Sequence, residues 1–372
     1  MAPGELIFEK AHILCYRIFD IAEELDLERV RQLLSEDTRR LKLSRENSQY
    51  LELPNPPIAY ELGKRTLQLR SGVVSVDATA RLFDHGAVSI ILKVPVPPHT
   101  ELAALTELAD DLYDSRFVEL LSHDLVEGVR KTIVSASQDP HLWDQSESYT
   151  VIYAETIAGQ PSAEELLQRD GALARLLLGE TKTVPLARRE VEAVTQGRFS
   201  YTEADLVIVD WNSAFVYEPS GSNDIPDILE IANAQLLEFR YYDDRLDEHI
   251  ARIYDEVQSK RRGWATILRS PYRALARETL ATLVDLSEFV ERVDNSLKII
   301  GDFYLAKVYE SAIKRMRVPV WQATVTRKQQ LLAQTYNLLK GEVDTDRALS
   351  LEATIVILIV SELLFAFLNV LK

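Results

Sequence analysis

Two aspartates at helical spacing, Asp243 and Asp247, are the residues in this sequence whose types and arrangement come nearest to a binding chemistry. Positions i and i+4 of a helix share one face, so the two carboxylates could hold a hydrated divalent cation. The alternative is a solvated acidic face that Arg240 and Arg245 neutralise. Asp243 also interrupts an apolar seam, where a polar residue sets the register or the number of copies.

Catalytic motifs are absent from the sequence. It has no GxxxxGK[ST] loop, no GxGxxG fingerprint, no GxSxG elbow, no HExxH and no CxxC. The six histidines lack metal-ligand spacing, and the single Cys15 lies in an apolar segment typical of core. We therefore expect neither an enzyme nor a bound cofactor, although an active site assembled from scattered residues would leave no motif.

The segment from Ala353 to Leu371 is apolar apart from one central acid, Glu362. A helix of about 20 apolar residues crosses the hydrocarbon core of a bilayer, so the segment predicts a transmembrane helix over 353–371 and a tail-anchored protein. The alternative is a buried core helix, because a charge at bilayer depth costs about 2.5 to 3.5 kcal/mol. The surrounding Ile, Leu, Val and Phe residues offset that cost.

Polar residues within this segment follow a helical stripe. Thr354 and Ser361 are seven residues apart, as are Glu362 and Asn369. Hydrocarbon cannot satisfy such groups, so the stripe is expected to face protein. Self-association explains it, and a different membrane protein is the alternative partner.

A basic segment, residues 260–277, interrupts an otherwise acidic chain. Its basic and anchoring aromatic residues are Lys260, Arg261, Arg262, Trp264, Arg269, Arg273 and Arg277. The segment is interpreted in three ways: as a loop that enters the lipid interface, as a contact for an acidic partner, or as a solvated connector whose arginines pair with surplus acids.

Composition sets wider limits. A chain of 372 residues with 47% hydrophobic content can build two domains. The 42 basic and 58 acidic residues give a net charge of -16, which opposes general binding to nucleic acid or to an anionic membrane surface. One cysteine allows no internal disulfide and fits a reducing compartment.

The first half predicts a mixed α+β domain over residues 1–218. Apolar and β-branched runs predict strands at His12–Phe19, Val73–Phe83, Ala87–Val94, Tyr149–Ile157, Leu206–Val209 and Ala214–Tyr217. Gly86 is expected to close the hairpin between the second and third of these. Helices are predicted after the caps Asp26 and Thr100, the first reaching Leu34 and the second about Leu121.

The second half, residues 225–340, changes to helical periodicity. Apolar residues from Ile225 to Val257 keep alternating steps of four and three, and a second such seam runs from Leu283 to Tyr304. Pro319 should break or kink the helix that carries this second seam. These patterns predict long, coiled-coil-like helices, either as an antiparallel hairpin within the chain or as an intermolecular coiled coil.

Three stretches together resemble the family of membrane proteins known as required for meiotic nuclear division. They are RLFDHGAVSIIL (Arg81–Leu92), ILEIANAQLLEFRYYDDRLDE (Ile228–Glu248) and SLEATIVILIVSELL (Ser350–Leu364). The resemblance implies an α+β amino-terminal domain, helices and one carboxy-terminal anchor, with a role in assembly or in supporting mitochondrial translation. The sequence departs from the eukaryotic pattern in lacking a transit peptide, in having Ala353 where tryptophan is usual, and in its basic insertion. A bacterial member of the family is favoured.

The architecture is also similar to that of CorA-type magnesium channels. Those channels need a second span and a Gly-Met-Asn loop, and neither Met1 nor Met316 lies in such a motif. Ion conduction of that type is therefore disfavoured.

The sequence thus predicts a non-enzymatic, self-associating, membrane-anchored scaffold or assembly protein. The alternative is an ion-responsive or ion-conducting oligomer that uses Asp243, Asp247 and Glu362. Expected partners are further copies of the chain, the lipid bilayer and another membrane protein. Lys340 and Arg347 before the apolar segment, and the absence of a signal peptide, indicate that most of the chain lies in the cytoplasm. The resemblance to the bacterial branch of the family implies that the membrane is the bacterial cytoplasmic membrane.

Overall fold

The computed structural model describes residues 5–34, 38–40, 55–113, 115–182, 184–259, 272–296 and 302–370. The chain forms two compact units. The first contains residues 1–241 and 295–321, and the second contains residues 242–294 and 322–372. Strands lie in the first unit and long helices dominate the carboxy-terminal part, so the predicted α+β class with one long apolar terminal helix is confirmed.

Twelve strands are present in the described residues. They are β1 (Ile7–Asp20), β2 (Glu24–Leu25), β3 (Thr38–Arg40), β4 (Ile58–Leu69), β5 (Gly72–Leu82), β6 (Ala87–Val96), β7 (Thr100–Glu101), β8 (Ser137–Gln138), β9 (Ser146–Ile157), β10 (Gly197–Phe199), β11 (Leu206–Val209) and β12 (Ser213–Tyr217). Ten of them form one sheet in the order β10-β11-β12-β9-β1-β6-β5-β4-β3, with β7 paired to β1. The pair β12 and β9 is parallel and the other pairs are antiparallel.

Ten α-helices complete the described chain. They are α1 (Leu27–Leu34), α2 (Leu102–Leu112), α3 (Arg116–Ile133), α4 (Ala163–Leu167), α5 (Asp170–Leu178), α6 (Arg188–Val194), α7 (Asp224–Ser259), α8 (Arg273–Ser296), α9 (Phe303–Arg315) and α10 (Val318–Val370). The last is a continuous helix of 53 residues.

Each strand predicted from alternating or apolar runs is present, within a few residues of its expected bounds. The Asp26 cap is also confirmed, since its carboxylate accepts a hydrogen bond from the backbone N–H of Arg29 at 3.1 Å. The prediction for Thr100 was wrong. Thr100 lies in β7, its hydroxyl donates to the Pro97 carbonyl at 2.6 Å, and the expected single helix is divided into α2 and α3.

Helices cover both faces of the sheet, as the central strand β1 shows. Its residues from Ile13 to Asp20 are continuously buried, a pattern typical of a strand packed on both sides. Cys15 belongs to the main core, which the helices α2, α3 and α5 close. Ile18 packs instead against Ala234 and Leu237 of α7. The amino-terminal half of α7 therefore belongs to the sheet domain.

The hairpin between β5 and β6 depends on glycine, as predicted. Gly86 has φ +95°, and a Cβ atom built on it would lie 1.6 Å from the carbonyl oxygen of Ala22. The Gly86 carbonyl in turn accepts a hydrogen bond from the Ile21 N–H at 3.1 Å. A side chain at this position is excluded both by backbone conformation and by space.

A buried ion-pair cluster attaches α7 to the hairpin. Nη1 of Arg81 on β5 lies 2.8 Å from Oδ1 of Asp227 and also pairs with the carboxylate of Glu230. Arg81 is 9% exposed and Glu230 is fully buried. Burial raises the pKa of Glu230 to about 7, although the Arg81 guanidinium opposes that rise. These buried charges need one another as partners, so their pairing specifies the position of α7 on the sheet.

The opposite side of α7 holds α9. The hydroxyl of Tyr309 on α9 donates a hydrogen bond to Oε1 of Gln235 on α7 at 2.7 Å, and both residues are buried. Helix α9 ends at Arg315, and α10 begins two residues after Met316. The predicted break therefore falls just before Pro319, whose ring is compatible with the first turn of α10.

The second unit contains the carboxy-terminal half of α7 together with α8 and most of α10. Tyr242 stacks on Phe289 with ring centroids 4.3 Å apart, and His249 lies 3.3 Å from the hydroxyl of Thr279. From the first pair to the second, the residue number rises along α7 and falls along α8. The two helices are therefore antiparallel, as predicted. Of the second predicted seam, the residues from Leu283 to Val293 lie in α8 and Tyr304 lies in α9 of the first unit, whereas Leu297 and Ile300 lie outside the described residues.

Replacing Arg81 by methionine should destabilise the protein strongly. Two buried carboxylates would lose their counter-charge, and breaking a buried pair in this way costs about 3–5 kcal/mol. The free energy of unfolding of the full chain in detergent, measured by urea denaturation, checks this. The control Arg65→Met removes an exposed arginine of β4 and should change little. Equal effects of the two substitutions would contradict the role given to the cluster.

Candidate functional site

A wide polar cleft in the first unit, here named the basic cleft, is the candidate functional site. Its volume is about 1140 Å³. Its lining residues are Ser146, Glu147 and Ser148 of β9; Gln196, Gly197 and Phe199 at β10; Asp210, Trp211 and Asn212 between β11 and β12; Asn233, Leu236 and Arg240 of α7; and Lys307, Glu310, Ser311, Lys314, Arg315, Met316, Arg317 and Trp321 from α9 to the start of α10.

The floor of the cleft is formed where the parallel strands β9 and β12 begin. Ser213 is aligned with Thr150, so the amino ends of both strands meet at the turn that carries Trp211. The buried hydroxyl of Tyr149 lies 3.0 Å from the Asp210 carbonyl and 2.8 Å from the Ser213 carbonyl. These contacts hold the turn in place and leave Trp211 62% exposed at the rim.

Two helices supply the walls through side chains at helical spacing. On α7 the cleft is lined at positions 233, 236 and 240, and on α9 at positions 307, 310, 311 and 314. Steps of three and four residues place such side chains on one helix face. The face of α9 that looks into the cleft therefore carries Lys307, Glu310, Ser311 and Lys314.

Two of the arginines that line the cleft are held by the protein itself. Arg240 pairs with Glu147, donates to the side chain of Gln145 at 2.8 Å, and lies over the Trp321 ring at 5.6 Å from its centroid. Arg315 pairs with Asp210 at 3.0 Å and also donates to backbone carbonyls, including that of Val209 at 3.3 Å. These two guanidinium groups build the walls.

The other three cations have no carboxylate partner among the described residues. Lys307 lies 4.3 Å from the centroid of the Phe303 ring, and Lys314 and Arg317 are exposed. Arg317 has φ +60°, a left-handed conformation that costs a residue with a side chain about 1–2 kcal/mol. Glycine would adopt this conformation without that cost, but the residue at this position of the cleft wall is an arginine.

Buried polar atoms also face the cleft. Asn233 is 1% exposed, and its Nδ2 has no hydrogen-bond partner among the described residues. Oδ2 of Asp210 is likewise buried without a hydrogen bond. Burial raises the pKa of Asp210, and the Arg315 guanidinium partly offsets this. The arrangement offers hydrogen-bond donors and positive charge in one cleft.

The aspartates singled out from the sequence, Asp243 and Asp247, lie in the second unit and are not among the residues that line the cleft. The ammonium group of Lys328 on α10 lies 2.7 Å from Oδ1 of Asp243 and 2.7 Å from Oδ1 of Asp247. It also donates to the Asp243 backbone carbonyl at 3.0 Å. A divalent ion would have to displace this lysine. No cluster of three or more His, Cys, Asp or Glu side chains arranged to hold a metal occurs in the described part of the chain.

The predicted polar stripe lies on the exposed end of α10. The Thr354 hydroxyl donates to the Ser350 carbonyl and the Ser361 hydroxyl to the Leu358 carbonyl, each at 2.8 Å. Both hydroxyls are therefore satisfied within the helix. Glu362 and Asn369 make no side-chain hydrogen bond within the described residues, so the unsatisfied part of the stripe is these two groups.

Most of the basic segment, from Lys260 to residue 271, lies outside the described residues. This includes Arg261, Arg262, Trp264 and Arg269. Its last two arginines, Arg273 and Arg277, lie in the first turns of α8 and are exposed. The three interpretations of the segment stay predictions.

A pair between the half-buried His141 and the buried Asp20 was not predicted from the sequence. Nε2 of His141 lies 2.6 Å from Oδ1 of Asp20, and Nδ1 lies 2.8 Å from the Asp139 carbonyl oxygen. Both ring nitrogens thus face acceptors, which favours the protonated ring. Burial alone would lower the pKa of His141, but the interactions with Asp20 outweigh it and raise that pKa above its ordinary value. Because its two residues are 121 positions apart, no local pattern could reveal the pair.

The fold is a mixed sheet with helices on both faces, and its first unit carries the basic cleft. One helix of the described chain is long and apolar enough to cross a membrane. The chain matches the family model described as "Uncharacterized protein MJ0711, N-terminal domain" over residues 10–224. This is more than half of the chain, so the protein belongs to that family. The matched part ends where α7 begins.

A relative is found in the archaeon Methanocaldococcus jannaschii. Its "Uncharacterized protein MJ0711" is 23% identical over 265 residues, which cover 70% of this chain and 78% of the relative. No solved structure matches the chain. These comparisons do not bear on the resemblance to the required-for-meiotic-nuclear-division family, which stays a prediction.

His141→Gln should reduce stability more at low pH than at high pH. The pKa of His141 is raised in the folded state, so its contribution is complete below the ordinary value of about 6.5 and is lost as the pH rises through the raised value. Urea denaturation of both proteins at about pH 6 and about pH 9 measures the difference. His123→Gln, a change of an exposed histidine on α3, serves as the control. A pH-independent difference would contradict the ion pair.

Proposed function

We propose that the protein is a non-enzymatic scaffold or assembly protein, anchored in a membrane by the end of α10 and self-associating through that segment. The observation that carries the proposal is the exposure of the apolar end of α10. The most apolar part of the helix has a mean hydropathy of 2.3, and none of it is buried within the chain. The buried core helix that the sequence left open as an alternative is not what the structure shows.

The dimensions of this segment suit a bilayer. Residues 353–370 form the last 18 positions of α10 and extend about 27 Å at 1.5 Å per residue, close to the thickness of a hydrocarbon core. Large apolar side chains surround the helix, and those of Ile355, Phe365 and Phe367 are 56%, 71% and 67% exposed. Water would oppose such exposure, whereas lipid favours it.

Self-association is supported by the two unsatisfied polar groups. Glu362 and Asn369 are seven residues apart and lie on one side of the helix. Acyl chains offer neither a hydrogen bond nor a counter-charge, so contact between copies along this side would satisfy both groups. Another membrane protein could satisfy them equally, and the proposal favours a second copy as the simpler partner.

The predicted location, a bacterial cytoplasmic membrane with the sheet domain in the cytoplasm, is part of this proposal. Lys340 and Arg347 before the apolar end of α10 support that orientation. The relative from an archaeon extends the family beyond bacteria.

Deleting residues 353–372 should release the protein from membranes into the soluble fraction. The deletion removes the exposed apolar surface and leaves both ion-pair networks described above in place. Fractionation of cells expressing either form, followed by immunoblotting, gives the distribution. Unchanged retention in the membrane would show that the anchor lies elsewhere, and the basic segment would be tested next.

Glu362→Leu should leave membrane insertion intact and weaken self-association. The substitution removes the cost of a charge at bilayer depth, about 2.5–3.5 kcal/mol, together with the group that needs a partner. Mass measurement by light scattering in detergent checks this. Glu352→Leu, which removes an exposed acid just before the apolar segment, is the matched control. An oligomer that survives Glu362→Leu unaltered would refute the contact.

The same mass measurement separates the scaffold from an ion-responsive or ion-conducting oligomer. A scaffold has no reason to change its mass on addition of magnesium. An assembly that changes with magnesium in the wild type but not in Asp243→Asn would support the ion-linked alternative.

A further inference from the structure

We propose that the basic cleft of the first unit is a binding site for a small ligand that carries a di- or triphosphate group, either a nucleotide or an inorganic polyphosphate. This proposal goes beyond the membrane scaffold and does not depend on it.

Charge is the first argument. Five cations and three carboxylates line the cleft, in a chain whose net charge is -16. Two of the carboxylates, Glu147 and Asp210, already pair with arginines of the wall. Lys307, Lys314 and Arg317 keep their positive charge free for a ligand, with Glu310 the one unpaired acid among the lining residues. Cations gathered without partners in an acidic protein favour an anion with two or more charges.

Spacing favours linked phosphates over a single one. Lys307 and Lys314 are seven residues apart on one face of α9, about 10 Å along the helix axis. From these positions the two long side chains can each contact a different phosphate group of one linked ligand, which a single phosphate does not offer. Arg317 follows in the left-handed conformation that ends α9, where its N–H donates to the Lys314 carbonyl at 3.2 Å, and its guanidinium is exposed at the cleft wall.

The floor of the cleft supplies a buried donor. Nδ2 of Asn233 has no hydrogen-bond partner within the described residues, and the residue is 1% exposed. An unsatisfied buried donor is costly, and a ligand oxygen would remove that cost. Ser311 of α9 adds a hydroxyl at the wall.

Aromatic side chains suggest how a nucleotide would differ from a free polyphosphate. Trp211 is 62% exposed at the rim, and Trp321 lies beneath the Arg240 guanidinium. A base can stack on an exposed indole, whereas pyrophosphate gains nothing from it. The contribution of the Trp211 indole to binding therefore distinguishes a nucleotide from an inorganic polyphosphate.

The test is isothermal titration calorimetry of the full-length protein in detergent with sodium pyrophosphate, with ADP and with AMP. We expect pyrophosphate or ADP to bind, AMP to bind more weakly, and the affinity to fall as salt is raised. The double variant Lys314→Met with Arg317→Met should weaken binding by at least about tenfold. Both residues are exposed, so the fold is expected to persist, and near-ultraviolet circular dichroism checks it.

The matched control is Lys64→Met with Arg65→Met, which removes the same two charges from an exposed part of β4. Binding in this variant should be unchanged. Tighter binding of ADP than of pyrophosphate, lost in Trp211→Leu, would identify a nucleotide site, and equal binding would identify an inorganic polyphosphate site. No binding of either at millimolar concentration, or equal weakening in both double variants, would overturn the proposal.

Discussion

The placement of α7 by the buried charges of Arg81, Asp227 and Glu230 is the constraint on which the rest of the sheet domain depends. Burying three charged groups gains little net stability, because desolvation consumes most of the electrostatic attraction. The gain is in specificity: only one position of the helix brings both carboxylates to the guanidinium. Since α9 is hydrogen-bonded to the other side of α7, the same constraint also sets the position of α9. The basic cleft exists because both helices are fixed against the beginnings of β9 and β12.

Electrostatic roles are divided among the cations of the first unit. Arg81, Arg240 and Arg315 are held by carboxylates and backbone carbonyls and act as structural links. The exposed Lys314 and Arg317 have no such partner within the described chain. These cations line the same cleft as the buried amide donor of Asn233. That coincidence is the basis for assigning the cleft to a phosphate-bearing ligand.

The second unit and the end of α10 present a different physical problem. Lys328 neutralises the acidic pair Asp243 and Asp247, so the feature that suggested a cation site forms an internal salt bridge. Further along the same helix, apolar side chains are exposed on every side, and two hydroxyls are satisfied by their own backbone. What remains unsatisfied is one carboxylate and one amide, Glu362 and Asn369. Under the proposed function, a membrane with a second copy of the helix would meet both needs, whereas water would meet only the second.

The sequence by itself determined the local structure. Period-two and apolar runs located six of the twelve described strands but not the long strand β4, Gly86 located the hairpin, the heptad seam located α7, and nineteen residues from Ala353 located the apolar helix. These features depend on neighbours within a few positions, so a linear pattern records them. The tertiary structure alone decided the rest: the parallel pairing of β9 and β12, the break between α2 and α3, the pair of Asp20 with His141, and the lysine that occupies the acidic pair. The cleft belongs to this second group, because its walls come from strands and helices up to 175 positions apart, from Ser146 to Trp321. Contacts at such separation depend on how whole elements pack, which spacing along the chain does not encode.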